Sequence, residues 1–140
     1  ALFKTMFLAF RDAGAKDWTS NLVIALDHSG VQHRLQFHHV FPKAILKASY
    51  SSREADDIAN LAFIGGRTNR NISDKAPSVY IPKTIEKSAS IAFHSQCIPI
   101  EEDLLQIDAY KAFLTTRRKL ISDRLNEFLG LQEKTYKNVS

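Results

Sequence analysis

The chain has 140 residues and a mass of 15.8 kDa, the size of one domain. Hydrophobic residues make up 44% and charged residues 24%, a balance that excludes a disordered tail, a collagen-like fibre and a low-complexity linker. Nineteen basic against fifteen acidic residues leave a net charge of +4. Residues 31–80, with seven basic and four acidic groups, hold most of that excess. A basic centre points toward a polyanionic partner.

The longest apolar runs, such as Met6 to Phe10, are about five residues, far below the ~20 needed to span a bilayer. Lys4 and Arg11 interrupt the apolar N-terminus, so no secretory signal is expected and no membrane partner. Cys97 is the single cysteine, which excludes an intrachain disulfide and a Cys-x-x-Cys zinc knuckle. A reducing, cytoplasmic setting is the expectation. The chain starts at Ala1 without methionine and enters a helical pattern at once. It reads as a C-terminal fragment, with the N-terminal domain of the same parent protein as a partner.

Leu2, Phe3, Met6, Phe7, Phe10 and Ala13 follow a three-to-four spacing, which predicts an amphipathic helix ending near Gly14. Residues 21–26 form a short β-branched run, Asp27-His28-Ser29-Gly30 a turn, and Val31 to Val40 a second strand; together they predict an antiparallel hairpin closed by Phe41-Pro42. Ala44 to Ser49 reads as a short helix and Ser51 to Asp56 as a turn or helix start. The apolar stretch Ile58 to Ile64 is interrupted by Asn60 and broken by Gly65-Gly66. The polar segment 67–75 reads as a helix start with Thr68 or Asn69 near its N-terminus. Pro77 and Pro82 delimit a connection, and Lys83 to Phe93 reads as a helix. Pro99 followed by Glu101, Glu102 and Asp103 predicts a long helix running to Leu129, with Gly130 as its C-cap. The expected fold class is α+β: a mainly helical single domain over 1–140, with a ββα core at about 21–80 and helical flanks at 1–14 and 83–130.

The chemistry-bearing stretch is 37–80. It holds Phe37-His38-His39-Val40-Phe41-Pro42, then Asn60 within Ile58-Ala59-Asn60-Leu61, then Asn69 within Thr68-Asn69-Arg70. Taken singly, each has a plain reading: a partly buried His pair, a loop Asn, an N-cap. In this order and spacing they resemble the HNH, or ββα-metal, nuclease motif. Arg67 through Ser78 is similar to the helix-start segment in the HNH domain of RNA-guided DNA nucleases. The whole chain resembles the C-terminal HNH domains of bacterial proteins with a ParB-like N-terminal domain, related to modification-dependent restriction enzymes. Arg117-Arg118 and Asn126-Glu127-Phe128-Leu129 belong to that similarity as a packing pattern.

The resemblance implies a metal-dependent DNA endonuclease of bacterial restriction or phage defence. His39 matches the general base, and Asn60 the residue whose side-chain oxygen orients that base. His38 and Asn69 match the ligands of one divalent metal. Two protein ligands suit Mg²⁺, while the imidazole also admits Mn²⁺, Ni²⁺ or Co²⁺, and Zn²⁺ without turnover. DNA is the implied partner, with Arg67, Arg70, Lys43 and Lys75 set to touch phosphates. Many family members carry Asp at the His38 position and His at the Asn69 position, so a catalytically weak nucleic-acid-binding module is the alternative. A single site nicks one strand, and a homodimer would be needed to cut two. Adjacent strand residues point to opposite faces, so His38 and His39 can share a site only where the strand twists or ends. Asn71 is a neighbouring candidate ligand, and His28 and His33 are candidate accessory ligands. His94 and Cys97 read as structural, Trp18 as a core anchor, and Arg117-Arg118-Lys119 as a solvated basic face or a DNA-backbone contact.

Overall fold

The computed structural model describes residues 2–20, 23–24, 35–88 and 90–139. The fold is α+β and mainly helical, around a two-stranded antiparallel sheet. Helix α1 (Leu2–Asp12) forms where its sequence pattern predicts, burying Met6, Phe7, Ala9 and Phe10 on one face. It stops at Gly14, whose φ of +74° is a left-handed conformation that glycine adopts without strain.

Strand β1 (Leu35–His39) pairs with β2 (Leu61–Gly65), placing Phe37 opposite Phe63 and His39 opposite Leu61. The hairpin expected over 21–40 lies largely outside the described residues; of its first run, Val23 bridges Lys16. Strand β2 carries no polar–apolar alternation because both its faces are covered. Phe63 enters a cluster with Met6, Phe7, Phe10 and Ile121. Ala62 and Ile64 enter a larger one with Trp18, Phe41, Tyr80, Phe93, Tyr110 and Phe113. A strand buried on both sides reads as a continuous apolar run, with no period to mark it.

Between the strands lie α2 (Lys43–Leu46) and α3 (Ser52–Ala55). Helix α3 starts with a reciprocal cap: Glu54 N donates to Ser51 Oγ and Ser51 N donates to Glu54 Oε1. Helix α4 (Gly66–Ile72) begins one residue earlier than its polar segment, so Thr68 and Asn69 lie inside the helix. Helix α5 (Pro77–Lys87) opens on Pro77 and continues through Pro82, which corrects the expectation of a connection there. One backbone rung is lost at Pro82, while Pro77, Tyr80 and Ile81 bury along the same face. The break comes at Ser88, and α6 (Ile91–Ser95) follows.

The acidic segment after Pro99 forms two 3-10 turns, Glu102–Leu104 and Ile107–Ala109, and the long helix α7 spans Tyr110–Val139. The expected start at 101 fails because the chain turns to bury Leu105 and Tyr110. The expected stop at Gly130 fails as well, since that glycine sits within the helix with open space around it. No helix among the described residues is long and apolar enough to cross a membrane.

The basic run on α7 is not uniformly solvated. Arg117 is fully buried, donating through Nη1 to Ala59 O (2.8 Å) and Leu61 O (2.6 Å) and through Nη2 to Gln96 O (3.1 Å). Burial brings its guanidinium down to about 10, so it stays charged at neutral pH. It thereby clamps the two carbonyls that flank Asn60. Arg118 pairs at the surface with Asp57.

Candidate active site

Strand β1 ends at His39, and Val40-Phe41 bends away. That ending resolves the conflict between adjacent side chains and a shared site. His38 is buried toward the larger core, yet it lines the same cleft as the partly exposed His39. The cleft has a volume of about 410 Å³ and is also lined by Lys43, Asn69, Arg70 and Asp74.

Helix α4 brings Asn69 to His38, whose Nδ1–H donates to Asn69 Oδ1 at 2.8 Å. The start of α4 is held from outside the motif. Gly65 supplies no side-chain cap, and the buried Asp17 carboxylate replaces it, accepting from Gly65 N (2.8 Å) and Thr68 Oγ1 (2.7 Å). Asp17 also accepts from Thr19 N, Ser20 N and Ser20 Oγ, so one carboxylate ties the loop after α1 to the helix that carries Asn69.

With Nδ1 donating to Asn69, the lone pair of His38 lies on Nε2, which is buried and has no hydrogen-bond partner among the described residues. Aromatic rings surround it: Trp18 at 5.6 Å and Tyr80 at 6.1 Å between centroids, both edge-on. Burial is the largest influence on the ring and lowers His38 to about 4; the Asn69 contact and the Asp74 charge oppose the shift, while His39 adds to it. His38 is therefore neutral at pH 7 and able to ligate.

The donor chemistry fits a divalent ion. His38 and Asn69 bring an imidazole nitrogen and an amide oxygen, both ligands of hard or borderline divalent ions, together at the cleft. Ligation through Nδ1 would move the ring proton to the buried Nε2. Among the described residues no three His, Cys, Asp or Glu side chains gather as a metal cage. The protein part of such a site is thus one imidazole and one amide, with the Asp74 carboxylate on the same cleft wall. Asn71, the neighbouring candidate, is exposed and does not line this cleft. His28 and His33 lie outside the described residues.

Asn60 occupies a different place from the one its motif position implies. Its side chain is fully buried and bonded to backbone: Oδ1 accepts from Phe41 N (2.8 Å), and Nδ2 donates to Phe41 O (3.0 Å) and Ala55 O (2.9 Å). Val40 N donates to Asn60 O at 2.8 Å, and Tyr80 Oη donates to Val40 O at 2.6 Å. Asn60 therefore braces the two residues that follow His39 and does not touch the imidazole. The imidazole is held by Asp56: His39 Nε2–H donates to Asp56 Oδ1 at 2.8 Å. Lys43 reaches the same carboxylate at 3.2 Å. These two contacts hold the Asp56 carboxyl below its usual range, His39 contributing first.

Of the four basic residues expected at phosphates, Lys43 and Arg70 line the cleft; Arg67 and Lys75 are exposed but outside its lining. Asp17, Asp56 and Asp74 carry none of the motif's spacing. Asp56 directly follows the capped helix α3, but its pairing with His39 spans 17 residues and depends on the fold.

No protein-family model matches the chain, and no solved structure matches it. A curated relative is an uncharacterized protein, MJ0686, of Methanocaldococcus jannaschii, 29% identical over 113 residues. That match covers 73% of this chain, which spans only 20% of the relative's length.

Proposed function

We propose that the chain is a metal-dependent DNA endonuclease domain of the HNH type, the cleavage module of a larger restriction or phage-defence protein. One observation carries this reading. The His38–Asn69 pair, at 2.8 Å, and the partly exposed His39 imidazole open onto a single cleft that also carries Lys43 and Arg70.

His39 takes a proton from water as the water oxygen bonds to phosphorus. The P–O3′ bond breaks opposite to it, its electron pair leaves with the 3′ oxygen, and solvent protonates that oxygen. The products are 5′-phosphate and 3′-hydroxyl ends. Arg70 and Lys43 offer positive charge to the phosphates on either side. His38 and Asn69 would hold a divalent ion, with Mg²⁺ the best fit, which would supply Lewis-acid charge stabilisation when bound.

A second reading, a nucleic-acid-binding module without turnover, is favoured by one feature: a donor pair that contains no carboxylate. Plasmid cleavage with Mg²⁺, with Mn²⁺ and with EDTA separates the two. The nuclease reading expects metal-dependent nicking, reduced by on the order of 10²–10⁴ in His39→Ala. Cleavage by His39→Ala at the wild-type rate would remove His39 as the base. Salt-sensitive, metal-independent binding with no cleavage would establish the binding module.

A further inference from the structure

We infer that Asp56 is the positioning residue for His39: its carboxylate fixes the ring with the proton on Nε2 and leaves the Nδ1 lone pair for the cleft. The inference builds on the proposal that His39 is the base, but its structural half stands on the contacts alone. Asn60 has no contact with the ring, since its side chain is committed to Phe41 and Ala55. The Asp56 contact, at 2.8 Å, is the hydrogen bond to the His39 ring among the described residues. An ionised carboxylate only accepts, so in the neutral ring Nε2 carries the proton and Nδ1 has the lone pair. Asp56 does not line the cleft, whereas His39 does, so the nitrogen turned to Asp56 is the one committed away from substrate.

The carboxylate is itself held in place. Asp56 N donates to Ser52 O at the end of the capped helix α3. The preceding residues are pinned from two sides: Ala55 O accepts from Asn60 Nδ2, and Glu54 O accepts from Tyr110 Oη at 2.6 Å. Lys43 Nζ lies 3.2 Å from both carboxylate oxygens and steadies the group. An exposed ion pair of this kind contributes little to stability. Variants at Asp56 should therefore fold, and the role that remains for the contact is orientation.

The decisive variant is Asp56→Ala. It removes the acceptor from Nε2, so the neutral ring can carry its proton on either nitrogen and Nδ1, the nitrogen that has to accept from water, loses its reserved lone pair. Long-range ¹H–¹⁵N correlation spectra of the ¹⁵N-histidine-labelled chain report this directly. They are recorded at pH 8 with EDTA, and His39→Gln assigns the resonance among the five histidines.

Wild type is expected to show His39 with the proton on Nε2, and Asp56→Ala a mixture of the two tautomers. Cleavage by Asp56→Ala should fall by about 10–100-fold, as for the loss of a partner that orients a histidine. Protonation of His39 on Nδ1 in wild type, or the same single tautomer in wild type and Asp56→Ala, overturns the inference. Loss of the single tautomer with undiminished cleavage also overturns it, because Nδ1 would then not be the accepting atom. If wild type does not cleave at all, the spectra still decide the positioning, and only the nuclease reading fails.

Discussion

Replacing Asn60 with alanine should cost the fold about 3–5 kcal/mol. The side chain is fully buried and makes three hydrogen bonds to backbone, to Phe41 N, Phe41 O and Ala55 O, at 2.8–3.0 Å. Removing it leaves one buried N–H and two buried carbonyls without these partners, each worth roughly 1–3 kcal/mol when unmade. Partial relaxation and water entry reduce the simple total. The loss is a large share of the roughly 5–15 kcal/mol that holds a domain together. Phe41 packs edge-on against Tyr110 and Phe113, so loosening its backbone also loosens the core. Urea unfolding at pH 7 measures the effect as a lower midpoint with an unchanged slope. Asn60→Asp should be no better, because a carboxylate would face the two carbonyls that the amide now satisfies. A residue whose task was only to orient His39 could be truncated with little loss of stability. A cost below about 1 kcal/mol for Asn60→Ala would therefore refute the bracing role.

Two further predictions concern His38. Burial depresses its folded value from 6.5 to about 4, so the unfolded chain takes up the proton first as pH falls. The stability tied to neutral His38 is present above pH 6.5 and is lost between 6.5 and 4, by up to about 3 kcal/mol. Urea midpoints at pH 7 and pH 4.5 should converge more in His38→Gln than in wild type, and an equal decline in both would contradict the assignment. Trp18 is the single tryptophan, buried 5.6 Å from the His38 ring, and serves as an intrinsic probe. Adding Mn²⁺ or Co²⁺ should quench its fluorescence, EDTA should restore it, and His38→Ala should abolish the response; quenching that persists in His38→Ala would place the ion elsewhere.

Much of the local organisation is legible in the residues themselves. The three-to-four spacing of Leu2 to Phe10 marks α1 because one face must be buried. Ser51 and Glu54 mark the start of α3 because the cap satisfies its own backbone. The His38-His39 pair and Asn69 signal a shared site through their order, and α4 joins His38 to Asn69 at 2.8 Å. These features are short-range, and a sequence records short-range physics well.

The destinations of the long-range polar contacts are set by folding. β1 pairs with 61–65, a stretch whose two buried faces erase the alternation that would announce a strand. Arg117, within a basic run that reads as surface, is buried because the carbonyls of Ala59, Leu61 and Gln96 together accept its charge. Asn60 and Asp56 exchange the roles that linear order suggests: the amide, which donates and accepts, satisfies buried backbone, and the carboxylate, which only accepts, stays in solvent and holds the imidazole. Spacing along the chain names the residues near a site, but burial and donor–acceptor matching, which exist only after folding, determine what each of them bonds.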